Sequence, residues 1–104
     1  MTVYISGQIT GTTDYLERFE RAEKHLRSRG YSVINPAKVN AQLPNDTTYE
    51  QYMDMSFTML KMADVIYMLD GWEKSNGARM EFENSVNHYR PILFENPGKL
   101  LKGE

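Results

Sequence analysis

No cysteine occurs among the 104 residues, which excludes disulfides, thiolate catalysis and cysteine-ligated zinc. Long apolar runs are also lacking: the longest fall far short of the ~18 residues that a membrane span needs, so no membrane association is expected. Charge of one sign is nowhere concentrated. Twelve Lys and Arg stand against 14 Asp and Glu, for a net charge of −2, and neither a basic stripe nor an acidic block appears. That balance argues against a nucleic-acid polymer as partner. There are only two histidines and no His/Asp/Glu cluster at ligand spacing, so no metal is expected. Met1 runs straight into a β-prone stretch with no basic or apolar leader, and a cytoplasmic protein is the expectation. A single domain over residues 1–104 with a modest core fits this length.

Val3-Tyr4-Ile5 opens the chain as a short strand and meets Ser6-Gly7-Gln8-Ile9-Thr10-Gly11, a loop of glycines and hydroxyls. The spacing matches neither the dinucleotide fingerprint nor the phosphate loop. Backbone amides and hydroxyls at a strand's carboxyl end still suit a small-ligand pocket, and a plain connecting loop is the alternative. Asp14 with Glu17 reads as an N-cap pair, after which Tyr15, Phe19, Ala22 and Leu26 recur at helical spacing up to a stop at Gly30. His25 falls on the solvated side. Tyr31–Ile34 is the second strand, closed by Asn35-Pro36. Residues 37–46 read as a longer loop with room for one helical turn.

Thr48 with Gln51 forms a second capping signature. Beyond it Tyr52, Met53, Ser56, Met59, Leu60 and Ala63 mark one helix face, and four methionines between 53 and 62 suggest an adaptable packing surface. Ser56 is the polar exception on that stripe. Pro91–Phe94 is the last strand, followed by a polar tail whose Lys99, Leu100 and Leu101 are candidates for packing on a neighbour.

The most informative stretch runs from Ala63 to Glu81. Val65–Leu69 is an unbroken apolar run, as in a strand buried on both faces. Asp70-Gly71 breaks it, and a loop containing Trp72 and Ser75-Asn76-Gly77 enters a third helix reaching to Tyr89. Trp72 is expected to shield the pocket or to pack at an interface. Ligands of open α/β sheets bind beyond the carboxyl ends of strands, and Glu81, about one turn into the helix, can lean back over that edge. On a helical wheel Glu81 sits about 40° from Ser85, at the rim of a face made by Ala78, Phe82, Ser85, Val86 and Tyr89. Glu73 and Glu83 should face water. The macrodipole alone also favours Glu near a helix start. The order β-α-β-α-β-α-β predicts an α/β fold: a four-stranded parallel sheet with helices on both faces, a flavodoxin-like or Rossmann-like three-layer sandwich.

With Tyr4-Ile5-Ser6-Gly7-x-Ile9-Thr10-Gly11 and Ala63-Asp64-Val65 followed by Ser75-x-Gly77-Ala78-x-x-Glu81, the chain resembles the nucleoside 2-deoxyribosyltransferase superfamily. It is similar to a short bacterial and phage branch, and also to the 2′-deoxynucleoside 5′-phosphate N-hydrolases. The resemblance implies cleavage or transfer at an N-glycosidic bond, with Glu81 as nucleophile and Tyr4 orienting it. It implies a binding set of Ser6, Gly7, Ile9, Thr10, Ser56, Asp70, Ser75 and Gly77, no cofactor, and a homodimer with shared sites. Serine at position 75 matches the monophosphate hydrolases, where transferases on free nucleosides tend to carry Asp.

Three departures stand out. Ser56 occupies the position of an aspartate that handles the leaving base, and Asp54 lies about 200° away on the helix. Thr10 stands where the hydrolases have an arginine. The segment that completes a neighbour's site is short or absent, with Asn96 the residue left to serve. The alternative function is a non-catalytic nucleotide-binding or partner-binding module on the same fold. A flavodoxin-type flavin protein is disfavoured, since the first loop lacks the run of Ser/Thr donors.

Overall fold

Five residues, Thr2–Ser6, form β1, and their alternation sets the two faces of the sheet. Val3 and Ile5 point into a cluster with Phe19, Ala22 and Leu26, whereas Tyr4 belongs to a second cluster with Leu60, Ile66, Met68 and Ala78. The computed structural model describes residues 1–97. After β1 come α1 (Tyr15–Ser28), β2 (Ser32–Ile34), α2 (Pro36–Ala41), α3 (Tyr49–Lys61), β3 (Val65–Met68), a 3-10 turn (Trp72–Lys74), α4 (Asn76–Asn87) and β4 (Ile92–Phe94). The strands are all parallel in the order β2-β1-β3-β4. In register, Tyr4 lies between Ile34 and Ile66. α1 covers one face and α3 with α4 the other, which is the expected three-layer sandwich.

That strand order has its switch point between β1 and β3, since the chain leaves β1 toward β2 on one side and leaves β3 toward β4 on the other. Connections diverging there open a crevice above the strand ends. Asp64, the acid of Ala-Asp-Val, holds this central pair together: its carboxylate accepts from the Thr2 amide at 2.9 Å, and its own amide donates to the Thr2 carbonyl at 2.8 Å.

Several local expectations change. In the segment 37–46, expected to be a longer loop with room for one helical turn, a six-residue helix α2 occupies Pro36–Ala41. Asn35 is its N-cap, accepting from the amides of Ala37 and Lys38 at 3.1 and 3.3 Å, and Pro36 fills the first position, where no amide proton is needed. Among the described residues there are therefore four α-helices rather than three. Asp14 makes no capping bond, since its backbone (φ −109°, ψ 14°) is outside the extended region a capping side chain requires, and it pairs instead with Arg18 at 3.3 Å. α1 does stop before Gly30, whose φ of +91° is the left-handed conformation that ends helices. The Thr48–Gln51 box forms in full, with bonds of 2.9 and 3.1 Å.

On α4 the buried residues are Ala78, Glu81 and Ser85. Val86 and Tyr89, expected inside, are 49% and 93% exposed. The helix is rolled so that position 81 faces the strand ends, and Phe82 turns sideways to stack on Trp72 at 4.7 Å, with Phe94 6.4 Å from both rings. Trp72 thus closes the α4–β4 flank rather than the crevice. Lys99, Leu100 and Leu101 lie outside the described residues. Among the described residues no helix is long and apolar enough to cross a membrane.

Candidate active site

Because side chains alternate along a strand, Tyr4 and Ser6 project from β1 on the same face, toward α4. Ser75 caps that helix, its hydroxyl oxygen accepting from the Ala78 amide at 3.1 Å. Glu81 lies a turn and a half further on, tilted back toward the helix start. The two elements meet through the carboxylate: the Tyr4 hydroxyl donates to Oε2 at 2.5 Å and the Ser6 hydroxyl donates to Oε1 at 2.6 Å. Distances this short belong to charge-assisted bonds.

Glu81 is only 6% exposed, so it sits in the middle of the buried face of α4, not at its rim. Burial pushes its carboxyl up to about 7, against the opposing pull of the Ser6 and Tyr4 hydrogen bonds. The acid therefore changes charge near neutrality, as groups in functional sites often do. Tyr4 is held well above the ordinary phenol range by its own burial, then by the charge and hydrogen bond of Glu81, while a side-chain hydrogen bond from Ser56 pulls the other way. Tyr4 thus keeps its proton and remains a donor to the carboxylate. Ser56 acts on the phenol from α3.

Above this pair opens a cavity of about 220 Å³ at the switch point. Of the residues the sequence placed in a site, Tyr4, Ser6, Gly7, Ile9, Thr10, Ser56, Ser75, Gly77 and Glu81 all line it. Asp70 does not. It lies beside a smaller depression with Trp72, Phe94 and Asn96, and its amide donates to Glu95 at 2.8 Å. Chain position explains this: Asp70 lies just past β3, and its bond to Glu95, the residue after β4, holds it on that side of the sheet.

Two glycines of the cavity lining permit close packing against their neighbours. A Cβ on Gly7 would stand 2.8 Å from Leu69 Cδ1 and 2.9 Å from Leu69 Cβ, and one on Gly77 would stand 3.1 Å from Met53 Sδ. β1 and its loop can pass close over β3 only without a side chain at position 7.

The remaining walls were not foreseen. Tyr15 and Phe19 enter from α1, Asn40 from α2, and Tyr49, Tyr52 and Met53 from α3. Tyr52 and Met53 were visible only as members of an apolar stripe, which reads equally well as core. Asn40 carried no signal once its segment was taken for a loop.

A parallel 2-1-3-4 sheet with a buried, doubly hydrogen-bonded carboxylate at its switch point defines a small flavodoxin-like domain with a crevice at its strand ends. The domain of unknown function DUF4406 matches residues 1–94, and the chain belongs to that family. Among solved structures it is similar to the 2-deoxyribosyltransferase from the psychrotolerant bacterium Bacillus psychrosaccharolyticus, with a TM-score of 0.72 and 18% identity over 90% of this chain and 71% of that one. The fold that the two sequence motifs implied is therefore borne out. No curated protein sequence matches the chain.

Proposed function

We propose that the protein cleaves or transfers at the N-glycosidic bond of a 2′-deoxynucleoside or its 5′-monophosphate, with Glu81 as nucleophile. The observation that carries this reading is the Glu81 carboxylate itself: buried, oriented through both oxygens by Tyr4 and Ser6, and part of the cavity lining. One oxygen attacks C1′ of the sugar. The C1′–N bond breaks, its electron pair leaves with the base, and the base takes a proton from solvent. The resulting glycosyl ester is resolved when water or a second base attacks C1′ and returns the free carboxylate. One hard displacement becomes two easier ones, as in retaining glycosidases. The similarity to a 2-deoxyribosyltransferase supports the choice of sugar.

Tyr4 and Ser6 have opposed effects on this chemistry. Their hydrogen bonds favour the ionised carboxylate, which is the attacking form, but they also lower its nucleophilicity by holding its charge. Their fixed geometry aims the oxygens, a larger gain than the loss. The 5′ end of the sugar faces the start of α4, where amides and the Ser75 hydroxyl suit either a hydroxyl or a phosphate. Among the described residues none lining the cavity is Lys or Arg, so that wall would meet a phosphate with dipoles. Sharing of sites in a homodimer belongs to the same reading.

The second reading is a nucleotide-binding module without chemistry. Ser56, a poor proton donor where the resembled enzymes carry an aspartate, favours it. Incubation with each deoxynucleoside and deoxynucleoside monophosphate, followed by chromatography for free base, decides between them. Release that disappears in Glu81→Ala but survives in Glu83→Ala is the expected result. Tight binding with no base released at high protein concentration would replace the enzyme with the module.

A further inference from the structure

Two hydroxyls stand close together on α3, Thr58 on its exposed face and Ser56 on its buried one. Thr58 Oγ1 donates to the Asp54 carbonyl at 3.0 Å, the bond back to its own helix that such side chains commonly make. Ser56 makes no such bond among the described residues. It is only 6% exposed, and a buried hydroxyl turned away from its own helix needs a partner elsewhere. That partner is Tyr4, to which Ser56 is hydrogen bonded. The packing agrees with it. Leu60, one turn beyond Ser56 on the same stripe, shares a cluster with Tyr4, and Ser56, Tyr4 and Glu81 line one cavity.

A phenol has one proton to give and lone pairs to receive one. The Tyr4 proton goes to Glu81 Oε2 at 2.5 Å, so toward Ser56 the Tyr4 oxygen is the acceptor. The bonds therefore run one way, from Ser56 to Tyr4 to Glu81. In such a chain each bond polarises the next and strengthens it. Held at its oxygen from both α3 and α4, the phenol cannot swing away from the carboxylate.

We infer that Ser56 is a positioning residue for the nucleophile: it donates to the Tyr4 oxygen and, through that phenol, holds the Glu81 carboxylate in place. The inference rests on the proposed role of Glu81 and deepens it. It assigns Ser56 to the attacking acid, where the sequence resemblance put it in the ligand-binding set.

The test reads the Glu81 carboxyl directly, by carbon NMR titration of glutamate-labelled protein, with Glu81→Gln identifying the signal. Among the described residues no other carboxylate and no His, Lys or Arg lines the cavity; the remaining titratable side chains there are Tyr4, Tyr15, Tyr49 and Tyr52. Without the Ser56 donor, Tyr4 supports the ionised acid less well, so the midpoint rises. Ser56→Ala should raise it by about 0.3 of a pH unit, and Ser56→Thr, which keeps the hydroxyl, should restore it. In a Tyr4→Phe background Ser56→Ala should shift nothing, a silence that neither a direct ligand contact nor a merely structural role gives. In base release, Ser56→Ala should lower kcat about three- to tenfold at unchanged KM, again only while Tyr4 is present. An unmoved midpoint in Ser56→Ala, an equal shift in the Tyr4→Phe background, or a raised KM at unchanged kcat overturns the inference. The expected titrations with no base released by the wild type overturn the proposed activity but support the chain from Ser56 through Tyr4 to Glu81.

Discussion

Replacing Glu81 with Gln should stabilise the protein near neutral pH, and the size of the gain can be worked out from the site. The carboxyl has an ordinary value of 4.5 and is pushed to about 7 in the fold, chiefly by burial. Between those values the folded protein holds a proton that the unfolded chain has released. Stability therefore falls as pH rises through this window, because the native state binds more protons than the unfolded one. Each pH unit is worth about 1.4 kcal/mol, and the window spans about two and a half units, so the full loss is about 3 kcal/mol.

Glutamine keeps a hydrogen-bonding amide between Tyr4 and Ser6 but carries no charge. The wild type should lose about 3 kcal/mol relative to Glu81→Gln on going from pH 4.5 to 7.5. Urea denaturation of both proteins across this range measures it, and comparing the two cancels every other titrating group. Glu23 does not interfere. Burial pushes its carboxyl up, but hydrogen bonds from Arg27, Asn35 and Lys38 and the Lys38 charge outweigh that and hold it at about 2. Its contribution is present above 4.5 and disappears only as pH falls toward 2. Parallel stability profiles for wild type and Glu81→Gln would refute the reasoning, because they would mean that the carboxyl titrates as it does in water.

Tyr4→Phe removes a donor that favours the ionised acid. The pH at which base release reaches half its plateau should rise by about one unit, and an unchanged midpoint with lowered rate would reduce Tyr4 to a packing role. Gly7→Ala forces a Cβ into Leu69 and should cost about 1–3 kcal/mol in denaturant melts. Thr48→Ala removes the cap of α3 and should cost about 1 kcal/mol in the same melts, with base release unchanged per folded molecule.

The strands and three of the four helices were legible because their signals are local and redundant. Val65–Leu69 is apolar throughout, Thr48–Gln51 is a complete capping box, and Gly30 ends α1 where basic residues precede it. α2 was missed for a reason present in the sequence. Asn35-Pro36 closes a strand, but Asn before Pro is also an N-cap before a first helical residue, and a six-residue helix is too short to show periodicity. The roll of α4 was not legible at all. A helical wheel gives angles between residues but no absolute zero, so Glu81 at the rim and Glu81 at the centre of a face fit the same pattern. Only the pull of Tyr4 and Ser6 on the carboxylate and the stacking of Phe82 on Trp72 fix it.

The site shows the same division. Tyr4, Ser6 and Glu81 could be named from their motifs, yet the Ser6 hydroxyl was assigned to the ligand and is found donating to Glu81. Asp70, expected in the binding set, lies outside the crevice beside β4. The cavity wall away from α4 combines α2 and α3 with α1, elements brought together only by the fold. No spacing in the chain encodes that.

The central claim is that the Glu81 carboxylate bonds to the sugar. Intact-protein mass spectrometry after acid quench of a brief incubation with an excess of substrate tests it most directly. A mass increase equal to one 2-deoxyribosyl or 2-deoxyribosyl phosphate group is expected, mapped by peptide digestion to Glu81 and absent from Glu81→Gln. Base released with the protein mass unchanged at every time point, or an adduct mapped to another residue, would contradict it.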